Sequence, residues 1–364
     1  AGTSESPKTC TLYIYKDVTL GTDANSSISV PDYVTLNIEP QANVKLTRGS
    51  HTRGNRWFLV NQSHQTLNIG SDTYSLTVED DGSTIICNTI LRREVGIMTV
   101  KNVTFNKIKL GDGDTSKSEY GYIYATKNNT ATGYCLFKNV TISNCSATTT
   151  SAGAFLSSQV TSNDGLYLQG TINFNDCTGT DIYAAARIRL GEIDGTSSTT
   201  ITASNPISIY WGGSITSIET NVIVKAKKTM LSSFNLTNET LGLFGNDTDL
   251  KLTQAYTLDV NSYGAATLVL PFASTIPTGV SAYKVSYTSG ASSVTATEVT
   301  GGTLPAATPV LINAGEGKHK FVSTTTTSGD AATGSGTVTV GALVGNYDES
   351  LTVSSGYVLY ADAT

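Results

Sequence analysis

The sequence predicts an all-β chain, a right-handed parallel β-helix followed by a small antiparallel β-sandwich-like module, on three observations. Only 14% of the 364 residues are charged, Gly is abundant (34), and Tyr (18) outnumbers Phe (9). β-branched and aromatic side chains suit a pleated surface, and Gly and Asn tolerate tight turns. A short phrase recurs: Val103-Thr104-Phe105-Asn106 returns 37 residues later as Val140-Thr141-Ile142-Ser143, and 32 residues after that as Ile172-Asn173-Phe174-Asn175. Near residue 250 the Asn-rich texture then gives way to Thr, Ser, Ala and Gly. These features divide the chain into residues 1–250 and residues 251–364.

Within each repeat, apolar residues alternate with Thr, Ser or Asn, the two-residue period of a strand with one face buried. One such unit is too short to close a core. Stacked into a coil, with each strand paired in parallel to its counterparts above and below, the units share one apolar interior. The unequal offsets fit loop insertions such as "GDGDTSKSEYG" and "SATTTSAG" between strands. The segment "DIYAAARIRLGEI" (181–193) alone tempts a helix assignment. Asn106, Asn144 and Asn175 lie near equivalent strand ends, where their amides could form an internal ladder across a turn. Cys145 and Cys177 occupy matching positions and read as stacked thiols; a rung-to-rung disulfide is the sharper alternative.

Earlier in the chain, "ISVPDYVTLNIEPQANVKL" (28–46) alternates Val34, Leu36, Ile38, Val44 and Leu46. It resembles the opening turns of pectin-lyase-like β-helices, with Gln41 in place of the usual Gly after Pro. The stretch "FKNVTISNCSATTTSAGAFL", within residues 95–190, resembles the repeats of chlamydial polymorphic outer-membrane proteins and related bacterial surface β-helices.

In the C-terminal part, short apolar runs separated by Pro, Gly or Ser suggest an antiparallel sandwich. The ordered landmarks are Gly264, Ala266-Thr267, Pro271-Phe272, Ile276-Pro277, Gly279-Val280, Ala282-Tyr283, Leu304-Pro305-Ala306 and Thr308-Pro309-Val310-Leu311. This run resembles a C-terminal β-module common in secreted and surface proteins of Bacteroidetes, in which one or two further strands would follow "GYVLYADAT". The resemblance implies a secreted or cell-surface setting and no particular chemistry.

A net charge of −6 argues against a general nucleic-acid binder, which needs clustered Lys and Arg. No apolar run approaches the ~18 residues of a membrane-spanning helix. Five cysteines, none in a CxxC pair, do not make a disulfide scaffold or a zinc site. The sequence also contains no GxSxG, HExxH, P-loop or dinucleotide motif.

Paired acids lie beside Gly at Asp80 and Asp81, at Asp112 and Asp114, and at Glu192 and Asp194. Each pair fits a turn, where Asp bonds nearby backbone N–H groups. Asp112 and Asp114 in "GDGD" are also a weak Ca²⁺ candidate, without the run of oxygen ligands that makes a strong one. No other cofactor is expected.

For glycan binding the candidates are aromatic. In "EYGYIYAT", Tyr120, Tyr122 and Tyr124 share one face of an extended strand and could stack on sugar rings, or cover the coil's exterior. Trp57 beside Arg53 and Arg56 could hold an acidic sugar, and Trp211 is the other tryptophan. The sequence therefore points to an adhesin-like surface protein binding a polysaccharide or glycoprotein surface, without catalysis. A polysaccharide lyase or glycoside hydrolase working on the coil's flank is one alternative, and a self-associating subunit of a surface filament or assembly is another.

Overall fold

The computed structural model describes residues 2–20, 28–48, 58–60, 63–81, 89–108, 121–126, 133–146, 154–158, 165–190, 200–213, 222–246, 248–287, 294–324, 337–340 and 343–346. They form two compact units. One comprises Ala1–Ile215, Val222–Thr237 and Gly245–Leu250; the other comprises Thr216–Asn221, Asn238–Phe244 and Lys251–Thr364.

The first unit is a coil of parallel strands with three faces, as the alternating pattern requires. The first sheet stacks Lys8–Ile14, Val34–Pro40, Thr66–Ile69, Ile97–Lys101, the leading half of Cys135–Ser143, the leading half of Leu166–Asn175, Ile188–Leu190 and Val222–Lys225. The second sheet runs from Val18–Leu20 through Val44–Arg48, Leu76–Asp80 and Val103–Asn106. It continues through the trailing halves of the two long strands to Ile201–Thr202. The third sheet has eight strands, Ile28–Ser29, Phe58–Val60, Leu91–Arg93, Gly121–Thr126, Ala154–Ser158, Thr180–Ala184, Ile207–Trp211 and Phe234–Leu236.

The repeat seen in the sequence is the pairing register itself. Thr104 pairs with Thr141, and Val140 with Ile172. The segment that tempted a helix assignment holds the strands Thr180–Ala184 and Ile188–Leu190, because its apolar residues must continue the columns of neighbouring rungs.

The corner between the first and second sheets repeats with the strands. Lys101, Lys138 and Gln169 are in register. The next residues, Asn102 and Asn139 (φ 53° each) and Gly170 (φ 67°), all adopt the left-handed conformation. Asn and Gly tolerate it best. The Asn139 amide donates to Asn102 Oδ1 at 3.2 Å, and Asn139 Oδ1 accepts from the Thr171 N–H at 3.0 Å. At the far end of the second sheet Lys107, Asn144 and Asp176 form a similar left-handed column (φ 52–55°).

The expected amide ladder is therefore modified. Asn106 and Asn175 are in register with Ser143, and Asn144 lies one residue further on. Asn144 donates to Asn106 Oδ1 at 3.0 Å from an exposed position, while Asn175 Oδ1 accepts from Ser204 at 3.0 Å. The amides lie outside the coil because the alternation commits the inward positions to apolar residues. A second outward ladder links Asn68 to Asn37 at 2.9 Å and Asn37 to Thr11 at 3.3 Å.

Inside, columns such as Ile38, Ile69, Val100, Phe137 and Leu168 run up the coil, buried in every rung. Cys145 and Cys177 stack as free thiols on adjacent rungs, each Sγ directed at a carbonyl of the rung below, Phe105 O and Ile142 O. Their mutual hydrogen bond, together with burial, raises the Cys145 pKa.

Polar clusters interrupt this interior. Arg48 grips Asp80 with both arms, Nε–Oδ1 at 2.6 Å and Nη2–Oδ2 at 2.8 Å, and both side chains are buried. Asp80 is thus a strand-end residue inside the coil rather than a turn acid, whereas Asp81 is exposed and donates its N–H to Arg48 O at 3.0 Å. Arg93, fully buried, donates from Nε to the Tyr124 hydroxyl at 3.0 Å. Nearby Cys135 is pushed up to about 12 by burial.

In the second unit the main described sheet is antiparallel. Ala265–Leu268, Val310–Asn313, Ser281–Tyr287 and Val294–Glu298 form one sheet, and Leu250–Val260 pairs with Gly317–Val322. Leu258, Leu268, Phe272, Val310, Ile312 and Phe321 share its core. Pro277 opens a turn closed by the Val280 N–H and carried by Gly279 at φ 80°, and Pro309 stands just before a strand. Both positions spare the sheet a residue with no N–H to donate.

Candidate flank site

Strand register decides which side chains reach the coil's outer surface. On the first sheet, the outward position between buried Cys135 and Phe137 is Leu136, and its partners on successive rungs are Tyr167, Arg189 and Lys225. Tyr134, half-buried, meets the Tyr167 ring edge to face with centroids 5.6 Å apart. The Arg189 guanidinium lies 6.0 Å from the Tyr167 centroid. Arg187, two residues before, shares the outward parity, and Lys225 Nζ pairs with Asp249 Oδ1 at 2.6 Å.

Partial burial raises the Tyr134 pKa, so its hydroxyl stays protonated and able to donate. Tyr167 is itself buried at 8% exposure, so the cluster presents the half-buried Tyr134 ring and the part-exposed Arg189 guanidinium, an apolar edge for a sugar ring beside a cation for its carboxylate.

The third sheet carries a buried carboxyl of outward parity. Asp181 Oδ2 accepts from the Ser208 N–H at 2.8 Å and from its hydroxyl at 2.9 Å, and Asp181 N–H donates to Ser208 Oγ at 2.9 Å. Burial pushes the Asp181 pKa up to about 6. Tyr183 and Tyr210, two residues further along these strands, stack at 5.9 Å with 26° between planes. Among the described residues, no group of three or more His, Cys, Asp or Glu side chains is placed to hold a metal ion.

The residues expected from sequence do not assemble into one site. Tyr124 leaves the candidate set because it is fully buried inside the coil, edge-on to Phe137 at 5.6 Å. A register shift between Gly121 and Tyr124 breaks the simple alternation on which the tyrosine row depended. Tyr122 lies in the strand Gly121–Thr126, while Tyr120, Trp57, Arg53, Arg56, Asp112 and Asp114 lie outside the described residues, as do Glu192 and Asp194.

Trp211 leaves the set as well. It is buried in register with Ala184, two residues after buried Ile209 and on the same side of its strand.

Tyr167 and Arg189 were missed because each sits in an unremarkable apolar strand, and Tyr134 because it stands just before one. Their signal was the shared outward position, visible only once the leading halves of the rungs were aligned as the trailing halves had been. Comparison of the chain with protein-family models, curated proteins and solved structures finds no match in any of the three.

Proposed function

We propose that the chain is a secreted or cell-surface structural protein that binds acidic polysaccharide or glycoprotein chains along the outer face of its first sheet. One observation carries the reading, the Tyr134, Tyr167 and Arg189 cluster on consecutive rungs of that face. The parallel coil supports it, since rung spacing of about 4.8 Å repeats outward groups at fixed intervals that an extended polymer can follow. The extracellular setting rests on the resemblances to pectin-lyase-like and chlamydial surface β-helices and to the Bacteroidetes surface module.

The test is a glycan array of acidic and neutral polymers probed with the purified chain and with Tyr134→Ala and Arg189→Ala. Binding of acidic polymers, weakened in both variants, supports the reading. No binding, or binding indifferent to both, overturns it. The lyase or hydrolase alternative would use the elevated Asp181 carboxyl, and cleavage of a bound polymer that is lost in Asp181→Asn would favour it.

A further inference from the structure

We propose that two copies of this chain join head to head through the first rung, with Lys8–Ile14 pairing antiparallel to the same strand of a second copy about a two-fold axis at Thr11.

The backbone directions carry the argument. Among the described residues, Lys8–Ile14 is the last strand of its sheet and has Val34–Pro40 on one side only. In a parallel pair, alternate residues direct both their N–H and C=O groups to a given neighbour. The Lys8 N–H donates to Tyr33 O at 3.0 Å, and Ile14 O accepts from the Gln41 N–H at 2.8 Å. Lys8, Cys10, Leu12 and Ile14 therefore bond to Val34–Pro40, and the N–H and C=O groups of Thr9, Thr11 and Tyr13 point to the open edge.

Those three residues are symmetric about Thr11. A two-fold axis there sets Thr11 opposite Thr11 of the copy and Thr9 opposite Tyr13, each as a hydrogen-bonded pair, giving about six backbone bonds across the edge. Cys10 meets Leu12 of the copy on the inner side, and Lys8 meets Ile14, so no like charges oppose each other. Thr–Tyr and Cys–Leu are favourable neighbours on a pleated surface.

The edge carries few of the devices that keep edge strands apart. It contains no proline, and its one charge, Lys8, stands at its first position. Behind it lies an apolar cavity of about 340 Å³ lined by Leu12, Ile14, Val18, Ile28, Leu46 and Phe58. Leu12 is 50% exposed, Tyr13 51% and Tyr15 72%. An isologous contact covers this same patch on both copies at once and closes without further growth.

The test is light scattering of the purified full chain across a concentration range, with circular dichroism to confirm that each variant is folded. Thr11→Pro removes an edge donor on each copy while sparing the bonds to Val34–Pro40, which Thr11 does not make. Leu12→Glu charges the half-exposed inner position. The wild type is expected to be dimeric, with both variants weakened on the order of ten- to a hundredfold. Leu12→Cys, treated with oxidised glutathione, should form a covalent dimer through Cys10 of the copy.

A monomer at every concentration overturns the proposal, including one whose Thr9, Thr11 and Tyr13 amides are protected from hydrogen exchange because the chain itself covers them. A dimer indifferent to both Thr11→Pro and Leu12→Glu overturns it, and so does open-ended growth, which signals head-to-tail addition. Failure of dimerisation leaves glycan binding on the flank untouched, so the two readings fail separately.

Discussion

Cys135–Ser143 and Lys8–Ile14 are written in the same alternation and end in opposite environments. In the middle rung the inward Cys135, Phe137, Val140 and Ile142 are buried, with a paired strand on each side. In the first rung Leu12, at an equivalent inward position, is half-exposed because only one side is paired. Burial in a coil is thus conferred by neighbours rather than by a strand's own pattern. The early rungs differ also in their interior, where Arg48 and Asp80 replace apolar contacts with a buried ion pair.

The comparison is tested most severely at that pair. Asp80→Ala leaves the Arg48 cation buried and uncompensated and should cost roughly 3–5 kcal/mol in denaturant-derived stability. The double change Arg48→Met with Asp80→Leu should recover most of the loss, because well-packed apolar replacements of a buried pair are often neutral or better. If the single change costs under about 1 kcal/mol, the pair is solvated and the early rungs are not packed as described.

Next comes the contrast between rungs. Ile142→Ala should cost about 2–5 kcal/mol, while Leu12→Ala should cost under about 1 kcal/mol. Equal losses would show that the first rung is covered in solution.

The Asp181 carboxyl supplies a pH-dependent test. Its pKa in the folded chain, about 6, lies above the ordinary 3.8, so the folded state holds the proton more tightly than the unfolded state. The resulting stabilisation is fully present below pH 3.8 and is lost as pH rises through about 6, a change of up to about 3 kcal/mol. Chemical denaturation of Asp181→Asn between pH 4 and 6 should lack this slope. An unchanged profile would place the carboxyl in water.

The smallest effect belongs to the outer face. Lys45→Ala breaks the 3.0 Å pair with Glu79 at a half-exposed position and should change stability by less than about 1 kcal/mol, diminishing with added salt.

The alternation of Val103–Asn106, Val140–Ser143 and Ile172–Asn175 already contained the coil, because a period of two with one apolar face has few ways to close a core. It also contained the pairing of Cys145 with Cys177 in neighbouring rungs. It did not contain the fate of Tyr124, since a one-residue register shift reverses which face a strand side chain takes. Trp211 followed the same logic, its indole consumed by the interior.

The flank cluster was beyond reach for a further reason. Tyr134, Tyr167 and Arg189 are scattered along the chain, and only stacking places them side by side. The sequence by itself determined the strand period and the rung repeat. Tertiary structure decided which rungs are covered, which aromatic rings face outward and which strand edge stays open, because each depends on what lies one rung above or below.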